Sequence, residues 1–305
     1  MTQLGRFACV VLGWNVAVIL WGAFVRATGS GAGCGNHWPL CSGVVVPRAA
    51  AIETLIEFSH RATSGIALIA VVALAVAVFR SRPKGHPARL GAVLSVVFIF
   101  TEAAVGAGLV LFRLVADNQS MARALFMATH LVNTFLLLAA LALTAHWAGG
   151  GRRIRLGGQG AAGLTLAAAF LAMILVGTSG AIAALGDTLF PATSLGDALR
   201  QDLSPTGHLL IRLRLLHPAI AILAAVVLLL AAWLAPQRRP SGDASRYGRW
   251  LIALVLAQML AGFANVALLA PVWLQVIHLL IADLVWITLV LLGASSLPAT
   301  PEATR

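Results

Sequence analysis

Charge is what this sequence has least of: Asp, Glu, Lys and Arg together make up 10% of its 305 residues. A soluble globular domain carries about a quarter, so that class is excluded. The 60% hydrophobic content and the mean hydropathy of +0.94 agree. Cysteine is also scarce, at three residues, too few for a disulfide framework. The net charge of +11 comes with no nucleic-acid-binding motif, so nucleic acid is not an expected partner. The glycines of "TGSGAG" (28–33) are followed by no P-loop lysine, which argues against a phosphate cradle. The first apolar run is too long for a signal-peptide core and lacks a convincing small-residue cleavage site, so it reads as a helix that stays.

What the chain has is long apolar runs. Segments of spanning length, about 20 residues each, lie near 7–26, 57–79, 90–112, 122–146, 160–184, 209–234, 250–269 and 273–294. The expected fold is an all-α integral membrane protein with eight transmembrane helices, and its first partner is membrane lipid. Basic residues cluster in three linkers: Arg80, Arg82, Lys84 and Arg89; Arg152, Arg153 and Arg155; Arg238, Arg239, Arg246 and Arg249. The positive-inside rule puts these linkers and both termini in the cytoplasm of a multi-pass protein of the cell membrane. Loops 27–56, 113–121, 185–208 and 270–272 are then outside.

Cys9 reads as a small packing residue of the first helix. Cys34 and Cys41 lie in the first outer loop, "GCGNHWPLCSG" (33–43). An oxidising outer face favours a disulfide, and a metal site built from the pair with His37 is the rival reading.

The chain repeats itself. A half at 1–148 and a half at 160–305 flank a basic linker at 149–159. "TEAAVGAGLV" (101–110) parallels "AQMLAGFANV" (257–266), and "VRATGSGAG" (25–33) ends its helix much as "VGTSGAIAA" (176–184) does. His60 matches His217, and His130 matches His278. An even number of spans separates the halves, so they form two pseudo-symmetric four-helix bundles related by an axis along the membrane normal.

The repeat sorts the histidines. His37 and His208 fall in outer loops, His86 in a basic linker and His146 at a helix end, where solvated side chains are expected. His60, His130, His217 and His278 all fall in the first turns of helices that start outside. Two per half at matched depth suit two bis-histidine sites, which is how helical bundles grip heme iron. The halves differ beside those histidines. In "LIEFSHRATSG" (55–65), Glu57, His60 and Arg61 share one helical stripe. In "LLIRLRLLHPAIA" (209–221), the place of Glu57 is taken by Arg214, with Arg212 nearby. Guanidinium groups suit the propionates of a heme that is held, whereas an acid suits proton transfer or an electron-poor carbon. Arg61 can pair with a propionate or with Glu57 at i, i+4. Glu102, Asp283, Asn133, Asn15 and Arg26 are further polar residues within the spans. They are expected to face the bundle interior or, for Arg26, to reach the outer surface.

"VRATGSGAGCGNHWPLCSG", followed by "IEFSHR" and solitary histidines in later helices, resembles the bacterial heme A synthases over nearly the whole chain. The resemblance implies a membrane oxidoreductase that converts heme O to heme A for terminal oxidases, by oxidising a ring methyl to formyl through hydroxymethyl intermediates. It implies a heme b on His217 and His278, and substrate heme on His60 and His130 with Glu57 as the essential acid. It also implies one outer-loop cysteine pair, here Cys34 and Cys41. Some members carry a second pair, which the 185–208 loop lacks. Heme O synthase is the expected supplier of substrate; the electron partner is unidentified, and a homo-oligomer stays open.

If His60 and His130 both hold iron, no position is left for O₂. Either one histidine lets go, or electrons are removed and water supplies the oxygen, with Glu57 as base or cation stabiliser. Two rivals remain: a di-heme electron-transfer cytochrome and a heme transporter or carrier.

Overall fold

The structure is a computed structural model; it describes residues 1–48, 51–155, 157, 159–238 and 241–297. Its elements are α1 (Gln3–Ala27), α2 (Ile52–Ser81), α3 (Pro87–Leu111), α4 (Met121–Ala148), α5 (Gly160–Leu189), α6 (Leu195–Leu203), α7 (Leu209–Arg214), α8 (Leu216–Arg238), α9 (Gly242–Ala267) and α10 (Val272–Ser296). Among the described residues no β-strand forms; Cys41 and Val44 make one isolated bridge. Among the described residues eight helices are long and apolar enough to cross a membrane, α7 and α8 counting as one span, Leu209–Gln237. The chain is an all-α, multi-pass membrane protein. Its outer faces are apolar, as with Leu223 (69% exposed) and Phe263 (74%), which in lipid costs nothing.

Helices overrun the apolar windows read from the sequence because their caps lie in the loops. Ser120 and Ser241 cap α4 and α9 by accepting from the amides of Arg123 and Ala244 at 3.3 and 3.0 Å. Pro87 opens α3, where its missing N–H costs no helical bond. Because α2 starts at Ile52, Glu57 and His60 sit one to two turns inside it. The sixth span is interrupted at Leu215. Pro218 explains the break, since its ring crowds the carbonyl four residues back, at Arg214. His217 directly follows this interruption. The 185–208 loop holds α6, whose Leu195, Leu199 and Leu203 form one exposed apolar stripe, suited to lying on a membrane surface.

Helices α1 to α4 pack in sequence, with α1 also against α4; α5 packs on α8, α8 on α9 and α9 on α10. The two sets meet where α4 and α1 touch α5 and α10. On that seam Trp286 stacks on Phe135 at 4.7 Å and donates its indole N–H to the Phe135 carbonyl at 2.6 Å, while Phe170 meets it edge-on. Arg26 crosses the same seam. It donates to Ala184 O and Thr188 Oγ1 on α5 and to Gln275 Oε1 on α10, so it ties helices together instead of reaching outward. Cys9 is exposed on α1 and not a packing residue. Arg239 lies outside the described residues, as do 298–305, Leu156 and Gly158.

Candidate functional site

His60, His130, His217 and His278 all lie in the halves of their helices nearest the Cys34–Cys41 loop. His60 lies close enough to His130 to feel its charge, and His278 close enough to feel that of His217. The pairing therefore runs within the first four and within the last four membrane helices. Among the described residues no three of His, Cys, Asp and Glu gather as they would around a bare metal ion. A porphyrin asks for less, because it brings four nitrogens and needs only axial ligands.

Three of the four imidazoles rest against glycine on a neighbouring helix. A Cβ on Gly22 would meet His60 Cε1 at 2.8 Å, one on Gly180 would meet His217 Cε1 at 3.0 Å, and one on Gly262 would meet His278 Cε1 at 3.2 Å. Any other residue there would push the ring away. Gly22 thus does for His60 what Gly180 does for His217, a match displaced from the pairing of Gly29 with Gly180 that aligning 25–33 with 176–184 implies. The fourth glycine differs: nothing lies within 4 Å of where a Cβ on Gly106 would point.

The rings are also oriented. Ser179 Oγ donates to Val176 O at 2.9 Å, so its lone pairs receive the Nδ1–H of His217, also at 2.9 Å. This tautomer leaves Nε2 free as a ligand. His130 Nδ1 lies 3.3 Å from Glu102 Oε1. The Nδ1 atoms of His60, His130 and His278 are buried without a hydrogen-bond partner, and the Gln258 amide nitrogen sits 3.2 Å from His278 Nε2. Imidazoles backed by glycine, with buried nitrogens lacking a protein partner, fit two axial-ligand pairs.

Glu57 is buried, at 3% exposure. Its Oε2 accepts the Cys34 amide at 2.7 Å, and its Oε1 accepts Nε and NH2 of Arg61 at 3.1 and 2.5 Å. Arg61 also donates to the carbonyls of His37 and Leu40 at 2.6 and 2.7 Å. Arg61 thus makes the i, i+4 pair with Glu57. Cys34 and Cys41 form a disulfide with Cα atoms 4.4 Å apart, which removes the thiols that the rival metal site with His37 required.

Arg214 is engaged by two carboxylates the sequence reading overlooked. NH1 reaches Asp187 at 3.0 Å, and Nε and NH2 reach Asp202 at 3.0 and 2.5 Å. A guanidinium close in sequence to two carboxylates of the 185–208 segment was the signal for it. Arg212 is exposed at the same rim. Asn133 Nδ2 donates to Phe98 O at 2.9 Å and to Glu102 Oε2 at 2.5 Å, an interhelical role. Asp283 is fully buried, and both its oxygens lack a partner.

With this geometry in hand, the comparisons are specific. The COX15-CtaA family, described as cytochrome oxidase assembly protein, matches residues 5–290. The chain belongs to that family. It is 54% identical over 296 residues to a protein of Thermus thermophilus named protoheme IX farnesyltransferase, covering 97% of this chain and 49% of that one. The chain thus spans about half the length of that relative. Heme A synthases of Halalkalibacterium halodurans and Alkalihalophilus pseudofirmus are 44% identical over 97 residues and 39% identical over 126. Those stretches cover 32% and 41% of this chain, and 33% and 40% of theirs.

Proposed function

We propose that this family member is a heme A synthase that oxidises a ring methyl of heme O to a formyl group through hydroxymethyl intermediates. The observation that carries the proposal is the arrangement of four imidazoles as one pair per group of four membrane helices, three of them backed by glycine. In this reading His60 and His130, in the half 1–148, hold the substrate heme, and His217 and His278, in the half 160–305, hold a resident heme b. Heme b supplies a one-electron redox centre. Glu57, joined to Arg61 and to the loop amide of Cys34, is the carboxylate beside the reacting heme. It would deprotonate water or stabilise developing positive charge. The loop, closed by the disulfide, would exclude bulk water from that site. Arg212 and Arg214 form the cationic rim beside His217, with Asp187 and Asp202 sharing the charge of Arg214.

The relative named for farnesylating protoheme IX supports a farnesylated heme as substrate, supplied by a heme O synthase. Farnesyl transfer by this chain itself is disfavoured. A diphosphate leaving group calls for divalent cations on clustered carboxylates, and among the described residues no such cluster exists. Clustered arginines in the linkers support a cell-membrane protein with those linkers and both termini in the cytoplasm.

The test is to co-express the chain with a heme O source, purify it and type its extracted hemes. Heme O and heme A alongside heme B are expected. Heme B alone would overturn the synthase and favour a di-heme electron-transfer protein; no heme of any type would remove both.

A further inference from the structure

The repeat places Glu102 opposite Gln258 and His130 opposite His278. Both matched pairs are in contact. Glu102 Oε1 lies 3.3 Å from His130 Nδ1, and Gln258 Nε2 lies 3.2 Å from His278 Nε2. At one symmetric position the neighbour of a histidine is thus a carboxyl group beside Nδ1 in one half and an amide beside Nε2 in the other. The carboxyl group is held from several sides. Thr134 Oγ1 donates to Oε1 and Asn133 Nδ2 to Oε2, each at 2.5 Å, and Thr101 Oγ1 reaches Asn133 Oδ1 at 2.5 Å. Gln258 has no such support: its Oε1 is buried without a partner. The rings respond. His278 lies against Gly262, while the matching Gly106 has nothing within 4 Å, and His130 lies instead by the acid one turn away.

We infer that Glu102 is a positioning residue that gives the His60–His130 site an anionic backing which the His217–His278 site lacks. A carboxylate facing Nδ1 favours the tautomer that carries its proton there, which presents Nε2 as the ligand and makes it a stronger donor. Stronger donation favours the oxidised form of whatever iron is held, so the first site has the lower reduction potential of the two. Gln258 carries no charge and leaves the second site higher. This inference rests on both sites holding heme, the reading proposed above.

The experiment uses the full chain, purified with hemes bound, and compares Glu102→Gln, Gln258→Glu and the double exchange. Heme content is counted by pigment extraction, potentials are measured by optical redox titration, and His217→Ala identifies the second site's signal. Glu102→Gln is expected to raise the lower potential by about a tenfold loss of oxidised-over-reduced preference, 59 mV for one electron. Gln258→Glu lowers the higher one comparably, and the double exchange narrows or inverts the gap. Two hemes with unmoved potentials in both single variants would overturn the role of Glu102 and leave the two-site reading intact. A parent protein that binds no heme would overturn both. If Glu102→Gln sheds its heme, Glu102→Asp decides: a shifted first-site potential supports the inference and an unchanged one ends it.

Discussion

Three residues before His60 and before His217 stand groups of opposite charge, Glu57 and Arg214, and they do the same mechanical work. Glu57 fastens α2 to the disulfide loop through the Cys34 amide and, by way of Arg61, to two further loop carbonyls. Arg214 fastens α7 to the end of α5 at Asp187 and to α6 at Asp202. Each half therefore ties the segment over its histidine pair with an ion pair. The sign of the charge cannot be what builds the tether. What the sign does change is the chemistry beside each pair: the first half places the acid next to the histidine and the base behind it, and the second reverses them.

The largest expected effects break that equivalence. Glu57→Leu leaves Arg61, with a side chain 12% exposed, facing an apolar group, and stranding a buried charge costs about 3–5 kcal/mol. Arg214→Leu strands Asp187 and Asp202, but their side chains are 30% and 18% exposed. Water offsets part of that loss, leaving about 1–2 kcal/mol. Thermal unfolding in detergent should order them that way. Glu57→Gln separates tether from chemistry: heme A formation is expected to vanish while both hemes stay. A normal rate in a folded, heme-loaded Glu57→Gln protein would remove Glu57 from the reaction.

Next comes the covalent closure that only the first half has. Cys34→Ser frees a loop with a sequence separation of 7, worth about 2–3 kcal/mol of chain entropy. Reductant should therefore speed proteolysis of the 34–48 segment and leave the 185–208 loop unchanged. Equal protection with and without reductant would mean that Arg61 alone holds the loop.

Smaller effects are expected at the glycines, graded by contact. Gly22→Ala meets His60 at 2.8 Å, Gly180→Ala meets His217 at 3.0 Å and Gly262→Ala meets His278 at 3.2 Å, so loss of bound heme should fall in that order. Gly106→Ala has open space and should stabilise α3 by about 0.5–1 kcal/mol, since Ala is the better helix former. Equal effects at Gly106 and Gly262 would erase the difference between the third and ninth helices on which the role of Glu102 partly stands.

The eight spans were legible because apolar runs of spanning length have no soluble alternative. The four histidines were legible because a repeat picks out matched positions. Partners across loops were not. Asp187 and Asp202 lie 27 and 12 residues from Arg214, and the short leucine stripe of α6, which presents Asp202, is too brief to stand out from the loop around it. The break at Leu215 was written in Pro218, but an apolar run conceals it. Arg26 looked like a residue at a helix end, and only the meeting of α1 with α5 and α10 gives it three acceptors. The quoted alignment already set Glu102 opposite Gln258; what it lacked was the contact each makes with its histidine.

The smallest contrast lies at the basic end, where α3 and α9 start with different caps. Ser241 Oγ accepts the Ala244 amide, and a hydroxyl does not titrate between pH 5 and 8. His86 Nδ1 accepts the Ala88 amide at 3.2 Å, which only the neutral ring can do. Loss of solvent, then the charges of Arg82 and Arg153, hold the His86 pKa below the ordinary histidine value. A depressed histidine pKa contributes stability that is whole above about 6.5 and is lost as pH falls toward the folded value. Acidification should therefore fray the first turn of α3 and leave that of α9 closed. Protection factors from hydrogen exchange at Ala88 and Ala244 between pH 7 and 5 measure this, with only the former falling. Ser241→Ala costs α9 about 1 kcal/mol at every pH, whereas His86→Ser should make α3 as indifferent to acid as α9.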